Sequence, residues 1–188
     1  MIIIETLVNY QLDFLKRYTN ISDLKTIDKM RYGLSFINSE LSKFFILLSL
    51  AAVTNTLDKF LILILLLPIR SLIGGHHAKD YISCLLVSVS IYISLILLSF
   101  LFKDLFILVK VFGLTLFTLS VTFKKCINNP NRPKRTSSYI YKLRFYSSLI
   151  VLGFFIISNT LSNINSTFGF ILIILLSFDF IFIKKENV

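Results

Sequence analysis

Apolar positions along this chain follow two regimes. Over residues 1–40 they are spaced: Ile3, Leu7, Phe14 and Tyr18 recur at near-helical intervals. Lys16, Arg17, Lys25, Lys29 and Arg31 interleave with Glu5, Asp13, Asp23, Asp28 and Glu40. No stretch here is apolar for the roughly 20 residues that a spanning helix needs. The pattern predicts one or two amphipathic helices lying on a membrane surface. From residue 41 the apolar positions run together in six blocks, at about 41–57, 60–69, 81–102, 105–123, 146–161 and 168–183. The first two are short and are joined through Leu57-Asp58-Lys59; either each spans with flanking help or together they make a bent pair. The fold class that follows is an all-α integral membrane protein. It is read as a single polytopic domain over 1–188, with the amphipathic segment 1–40 ahead of a transmembrane region 41–188. About six transmembrane helices are expected, four being the alternative, with no soluble domain left over and no internal repeat.

Composition agrees. The chain is 55% hydrophobic and 16% charged, with a mean hydropathy of +0.80, against about 25% charged residues in soluble domains. The net charge of +10 would suggest nucleic acid in a soluble protein. Here the basic residues flank apolar runs, so membrane topology is the better account and no nucleic-acid partner is expected. Two cysteines make no disulfide framework. The N-terminal stretch has an early acid and frequent polar residues, unlike a signal peptide.

Loop charges give an orientation. Lys124, Lys125, Arg132, Lys134, Arg135, Lys142 and Arg144 lie between the fourth and fifth blocks with no acid among them, which predicts a cytoplasmic loop. With six spans, the 70–80 loop, Lys184, Lys185 and both termini fall on the same side. The opposite loops, at 58–59, 103–104 and 162–167, hold only Lys59 and Lys103 as basic residues.

The chain's few reactive side chains gather in "GGHHAKDYISC", Gly74 to Cys84, which contains both histidines and one of the two cysteines. Taken singly they have ordinary readings: the glycines end a helix, the cysteine is a small buried hydrophobe, and the histidines sit at the interface. Together they can do cysteine-protease chemistry, in which an imidazole takes the thiol proton and later protonates the leaving amine. His77 and Cys84 would share a face of one continuous helix, but with Cα atoms about 10.5 Å apart. A direct hydrogen bond therefore requires the helix to start after His77, with the glycines letting the loop fold back. His76 is about 100° off that face. Zinc is the competing chemistry, yet the spacing matches no HExxH pattern, and a catalytic zinc usually takes three protein ligands. Asp80 can be a third ligand, an orienting group for His77, or an interfacial charge. No metal or cofactor is expected.

The pattern Arg70, Gly74, Gly75, His77, Ala78, Cys84 resembles the AgrB family of accessory gene regulator proteins. "DKMRYGLSF" around Tyr32-Gly33 is similar to the family's N-terminal signature, and "NNPNRPKRT" to its basic proline-containing loop. The chain departs from the family pattern at His76, where an aromatic residue is usual, and at Asp80, where a small hydroxyl residue is expected. The resemblance implies a membrane cysteine endopeptidase that cuts the C-terminal tail from an AgrD-like propeptide on the cytoplasmic side. A cysteine or serine of the propeptide then closes a thiolactone or lactone ring, giving a quorum-sensing peptide. Cys84 matches the nucleophile and His77 the base; Arg70 and Gly75 match positions needed for activity. A homodimer is a further family expectation.

Lys110 lies inside the fourth block, which implies a partner or a wet cavity, or, if the span starts near Lys103, a side chain that snorkels to the interface. Asp179 reads as interfacial and Cys126 as a bystander. The basic loop 124–144 can also attract an acidic propeptide tail. The alternative function is a small multispan transporter or export channel with Lys110, Asp179 and the histidines along its path, although repeated halves or matched broken spans are not visible.

Overall fold

The computed structural model describes residues 2–19, 23–73, 81–123 and 137–182. These residues form seven α-helices and no strand: α1 (Ile2–Thr19), α2 (Leu24–Val53), α3 (Leu57–Ile73), α4 (Tyr81–Leu101), α5 (Phe106–Phe123), α6 (Ser137–Ile157) and α7 (Asn163–Phe182). A short 3-10 turn, Lys103–Leu105, joins α4 to α5. Each of the six apolar blocks falls on a helix of its own.

The boundaries follow local chemistry. Asp23 caps α2: its Oδ2 accepts from the Thr26 backbone N–H at 3.2 Å and from the Thr26 hydroxyl at 2.7 Å. From there α2 runs 30 residues without a proline, so the expected break between an amphipathic segment ending at 40 and a first span starting at 41 is absent. At about 45 Å, α2 exceeds a hydrocarbon core of about 30 Å, so its charged first turns reach beyond one. The helix ends where Asn55 takes a left-handed φ of 53°, a conformation Asn tolerates better than most residues. Thr56 then precedes α3, its carbonyl accepting from the Phe60 N–H at 3.0 Å. The connection is therefore Thr54–Thr56, and Asp58 and Lys59, expected in the loop, sit in the first turn of α3. At the other connection, Ser162 caps α7, its hydroxyl accepting from the Asn165 N–H at 3.4 Å.

Among the described residues, three stretches are long and apolar enough to cross a membrane: Thr26–Val53, Tyr81–Leu101 and Lys103–Thr122. Six spans therefore rest on the loop charges. α3 has 17 residues and contains Pro68, giving a length of about 25 Å. α6 carries Lys142 and Arg144 in its first half. The apolar part of α7, Asn163–Asp179, is shorter than the three. Large apolar side chains are exposed on every long helix, Leu61, Ile107, Leu108 and Leu152 among them. Faces of this kind call for a lipid solvent.

The described chain divides into two compact units: α1, α2 and α4 as far as Val89 form one, while α3, the rest of α4 and α5–α7 form the other. In the first, α1 packs on α2. Val8 and Leu12 of α1 are buried, and Asn38 Nδ2 donates to Gln11 Oε1 at 2.8 Å. The stripe that predicts a surface-lying helix, Leu7, Phe14 and Tyr18, is exposed and is not the one that packs on α2. The rings of Phe14 and Tyr18 stand 4.6 Å apart. Helix α1 is thus apolar on two sides, one used by α2 and one open to an interface.

In the second unit, α7 packs on α5 and α3, and α3 also packs on α6. Phe154, Phe168, Phe170, Leu66 and Ile173 are fully buried. Two glycines set how closely the helices approach. A Cβ on Gly113 of α5 would lie 3.3 Å from the Phe170 carbonyl oxygen, and one on Gly169 of α7 would run into the Phe154 ring of α6. Small residues at helix crossings are the usual way to gain packing in a membrane.

Several polar groups in this unit are paired. The Tyr92 hydroxyl donates to the Thr56 carbonyl at 3.1 Å, which leaves the Thr56 hydroxyl to donate back to it at 2.9 Å. Lys59 is buried, with Asp58 Oδ2 at 3.6 Å and the Phe100 ring 5.5 Å away. Burial pushes the Asp58 carboxyl up, but the Asn165 side chain, the Lys59 backbone N–H and the Lys59 ammonium outweigh it and hold it below its ordinary value. Lys110 Nζ donates to Asn159 Oδ1 at 2.7 Å and lies 4.3 Å over the Phe155 ring. Of the sequence expectations for Lys110, the partner is present: Asn159, in the polar turn between α6 and α7.

Candidate functional site

Tyr81 and Cys84 are one turn apart at the start of α4, and Glu40, Ser42 and Lys43 lie on α2 just ahead of its most apolar stretch, "FFILLSLAAV". Two side-chain bridges join these positions within the first unit. Ser42 Oγ donates to the Ser39 carbonyl at 3.0 Å. That uses its one hydrogen, so the Tyr81 hydroxyl donates to Ser42 across 2.7 Å. One residue on, Lys43 Nζ donates to Cys84 Sγ at 3.5 Å.

Cys84 is a free, half-buried thiol. Its carbonyl accepts from the Ser88 hydroxyl at 2.8 Å, so the sulfur is carried on a regular helical turn. Lys43 is 8% exposed. A lysine is seldom buried to this degree unless paired, and Glu40, three residues earlier on the same helix, supplies the carboxylate. Glu40 itself is more open, its side chain 42% exposed. The sulfur thus faces the nitrogen of an ion pair on a neighbouring helix. A half-buried sulfur with an ammonium donor is suited to nucleophilic chemistry, because the reactive form of cysteine is the anion.

Sequence reasoning singles out Cys84 as a candidate and does not single out Lys43 or Glu40, which the structure places beside it. Their local signal is an i,i+3 acid–base pair at the mouth of an apolar run, which reads equally well as an interfacial anchor. What marks Lys43 is a contact with a residue 41 positions away, which no local pattern reports. Gly75, His76, His77, Asp80 and Cys126 lie outside the described residues, as does the basic loop from 124 to 136. Arg70 belongs to the last turn of α3. Among the described residues no three His, Cys, Asp or Glu side chains gather as metal ligands would.

Comparison with known proteins places this geometry. The family model described as accessory gene regulator B matches residues 8–183. A protein of Clostridium beijerinckii named as AgrB-like is 33% identical over 147 residues, which cover 76% of this chain and 70% of that relative. No solved structure matches the chain significantly. The match runs from α1 through α7, across described residues that are helical and include helices long and apolar enough to cross a membrane: this protein belongs to the AgrB family.

Proposed function

We propose that this chain is a membrane-embedded cysteine endopeptidase that removes the C-terminal tail of an AgrD-like propeptide and promotes closure of a thiolactone or lactone ring in an autoinducing quorum-sensing peptide. The observation that carries the reading is Cys84: a half-buried free thiol on the first turns of an apolar helix, with a lysine ammonium against its sulfur, in a chain of the AgrB family.

In this reading Cys84 is the nucleophile and His77 the base. His77 takes the thiol proton, the sulfur attacks the scissile carbonyl, and the imidazolium protonates the departing amine of the tail. The propeptide is left as a thioester on Cys84. Its own cysteine or serine gives a proton to His77 and attacks the acyl carbon, and Cys84 leaves as the ring closes. The thioester has to outlast hydrolysis, so a site at the mouth of apolar helices, where water is scarce, suits the second step. Arg70 would hold a substrate carboxylate or a loop carbonyl, and Gly75 would let the loop before α4 turn back. Asp80 would orient His77. The loop charges support a cytoplasmic site with both termini on that side. The basic loop would draw in an acidic tail, and α1, with an open apolar face, would meet the propeptide at the bilayer surface. Homodimer formation is part of the same proposal.

The test is co-expression with the propeptide gene, with mass analysis of the products. Cys84→Ala should abolish cleavage while the protein stays in the membrane. His77→Gln should slow cleavage at least about 100-fold, the low end for a general base, and His76→Gln should change it little. Full cleavage by the Cys84 variant would end the peptidase reading. Equal loss from both histidine variants, with inhibition by a chelator, would replace it with a metal site.

A further inference from the structure

We propose that Lys43 is a catalytic residue of the Cys84 chemistry, donating a hydrogen bond that stabilises the sulfur as an anion both when it attacks and when it leaves. This rests on the reading of Cys84 as the nucleophile.

A lysine ammonium has three N–H donors and no acceptor. In Lys43 one points to Glu40 and one to Cys84 Sγ, and the side chain is nearly withdrawn from solvent. A neutral thiol is a weak acceptor, so the contact gains little while the sulfur keeps its proton. A thiolate makes it a charge-assisted bond, roughly twice as strong as a neutral one. The donor therefore acts selectively on the ionised sulfur, which is the condition for acceleration rather than mere binding. Glu40 fixes the ammonium from the solvent side, and the Tyr81–Ser42 bridge fixes the turn of α4 that carries Cys84. A lysine that only anchored α2 at an interface would extend its nitrogen toward water; this one turns it to a half-buried sulfur.

The steps balance without any further reactant. The thiol proton goes to His77, the sulfur lone pair forms the C–S bond, the scissile C–N bond breaks, and His77 returns the proton to the amine. In the second step the propeptide thiol or hydroxyl gives its proton to His77 and forms the ring bond. The Cys84 C–S bond then breaks, and the released thiolate again accepts from Lys43 before His77 reprotonates it. Lys43 keeps its own proton throughout.

The experiment is alkylation of Cys84 by iodoacetamide in the purified full-length protein. It is followed by mass spectrometry from pH 6.5 to 9.5 on a Cys126→Ser background, alongside propeptide cleavage. Lys43→Met, which keeps the length and apolar stem, should slow alkylation at pH 7 by about tenfold, the equivalent of losing one charge-assisted hydrogen bond. The gap should close toward pH 9.5, where thiols ionise unaided. Lys43→Gln should behave like Lys43→Met, which guards against a folding defect in either one. Lys43→Arg should retain most of the rate. Cleavage should fall by at least the same factor in the two uncharged variants. An unchanged alkylation profile in both of them, with Cys84→Ala inactive, would overturn the role of Lys43 alone. Loss in Lys43→Arg equal to that in Lys43→Met would also overturn it, since it would show a packing role. Full cleavage by Cys84→Ala would remove the nucleophile reading and this proposal together.

Discussion

Gly169→Ala adds one methyl group to the face of α7 that meets α6. A Cβ at this position lies 2.9 Å from Phe154 Cε2 and closer still to Cε1 and Cζ. Carbon atoms rest about 3.5–4.0 Å apart, so the ring would have to retreat by roughly an ångström or more. It has little room to do so. Phe154 is 1% exposed, and its ring already sits 5.3 Å from that of Phe170, which is itself fully buried. Either Phe154 leaves its rotamer or α6 and α7 separate. Overpacking of this kind costs about 1–3 kcal/mol, and the rigid neighbours place this case at the upper end. Phe154→Ala should also destabilise, by cavity formation, at about 3–5 kcal/mol. The double variant should then cost less than the sum of the two, because the missing ring leaves space for the new methyl. A coupling of about 1–3 kcal/mol is expected for residues in direct contact. The assay is thermal unfolding of the detergent-solubilised protein, followed by circular dichroism at the helical band, for wild type, both single variants and the double. A Gly169→Ala protein as stable as wild type, or strictly additive effects in the double variant, would refute the seating of the Phe154 ring against Gly169.

Two further outcomes are expected of the polar pairs in the same unit. Asn159→Leu should lower stability by about 1 kcal/mol, because it strips the Lys110 ammonium of its acceptor, whereas Lys110→Met should be closer to neutral; a larger loss from Lys110→Met in the same melting assay would contradict this. Asp58 is held below its ordinary value by Asn165 and Lys59 and lies ahead of the apolar run that begins at Phe60. With the folded-state value below the unfolded one, its contribution is fully present above about pH 4 and is lost as pH falls through the folded value. Asp58→Asn should therefore flatten the acid limb of a stability–pH profile measured from pH 6 to pH 2.5. A variant with an unchanged acid limb would count against the pairing.

Features written in consecutive residues are legible in the sequence. Runs of Leu, Ile and Phe announce helices, and the scarcity of helix breakers within them keeps them whole. The Cys84 motif is legible too, because its glycines, histidines and cysteine fall within eleven residues. Reading fails first at boundaries that depend on backbone detail. Nothing in "AAVTNTLDKF" says by hydropathy that Asn55 turns left-handed and Thr56 opens the next helix, so hydropathy places the turn too late, at Asp58 and Lys59. It is silent on the second apolar pair of α1, Val8 and Leu12, which only packing against α2 reveals.

Hydropathy and periodicity are sums over neighbours in sequence, so by themselves they determined a helical, membrane-borne chain, while a local motif marked Cys84 as the candidate nucleophile. What they omit is contact between residues far apart. Gly169 reads as a neutral small residue until the Phe154 ring fills the space beside it. Lys110 reads as an expense until the turn after α6 brings Asn159 to it. Lys43 reads as one more positive charge at a membrane surface, and it becomes part of the candidate active site only because α2 and the first turns of α4 place its nitrogen against a sulfur 41 residues away. Such pairings arise when helices that are each stable alone choose how to associate. That choice is made by side-chain fit and by satisfying charges away from water, and it is settled in three dimensions.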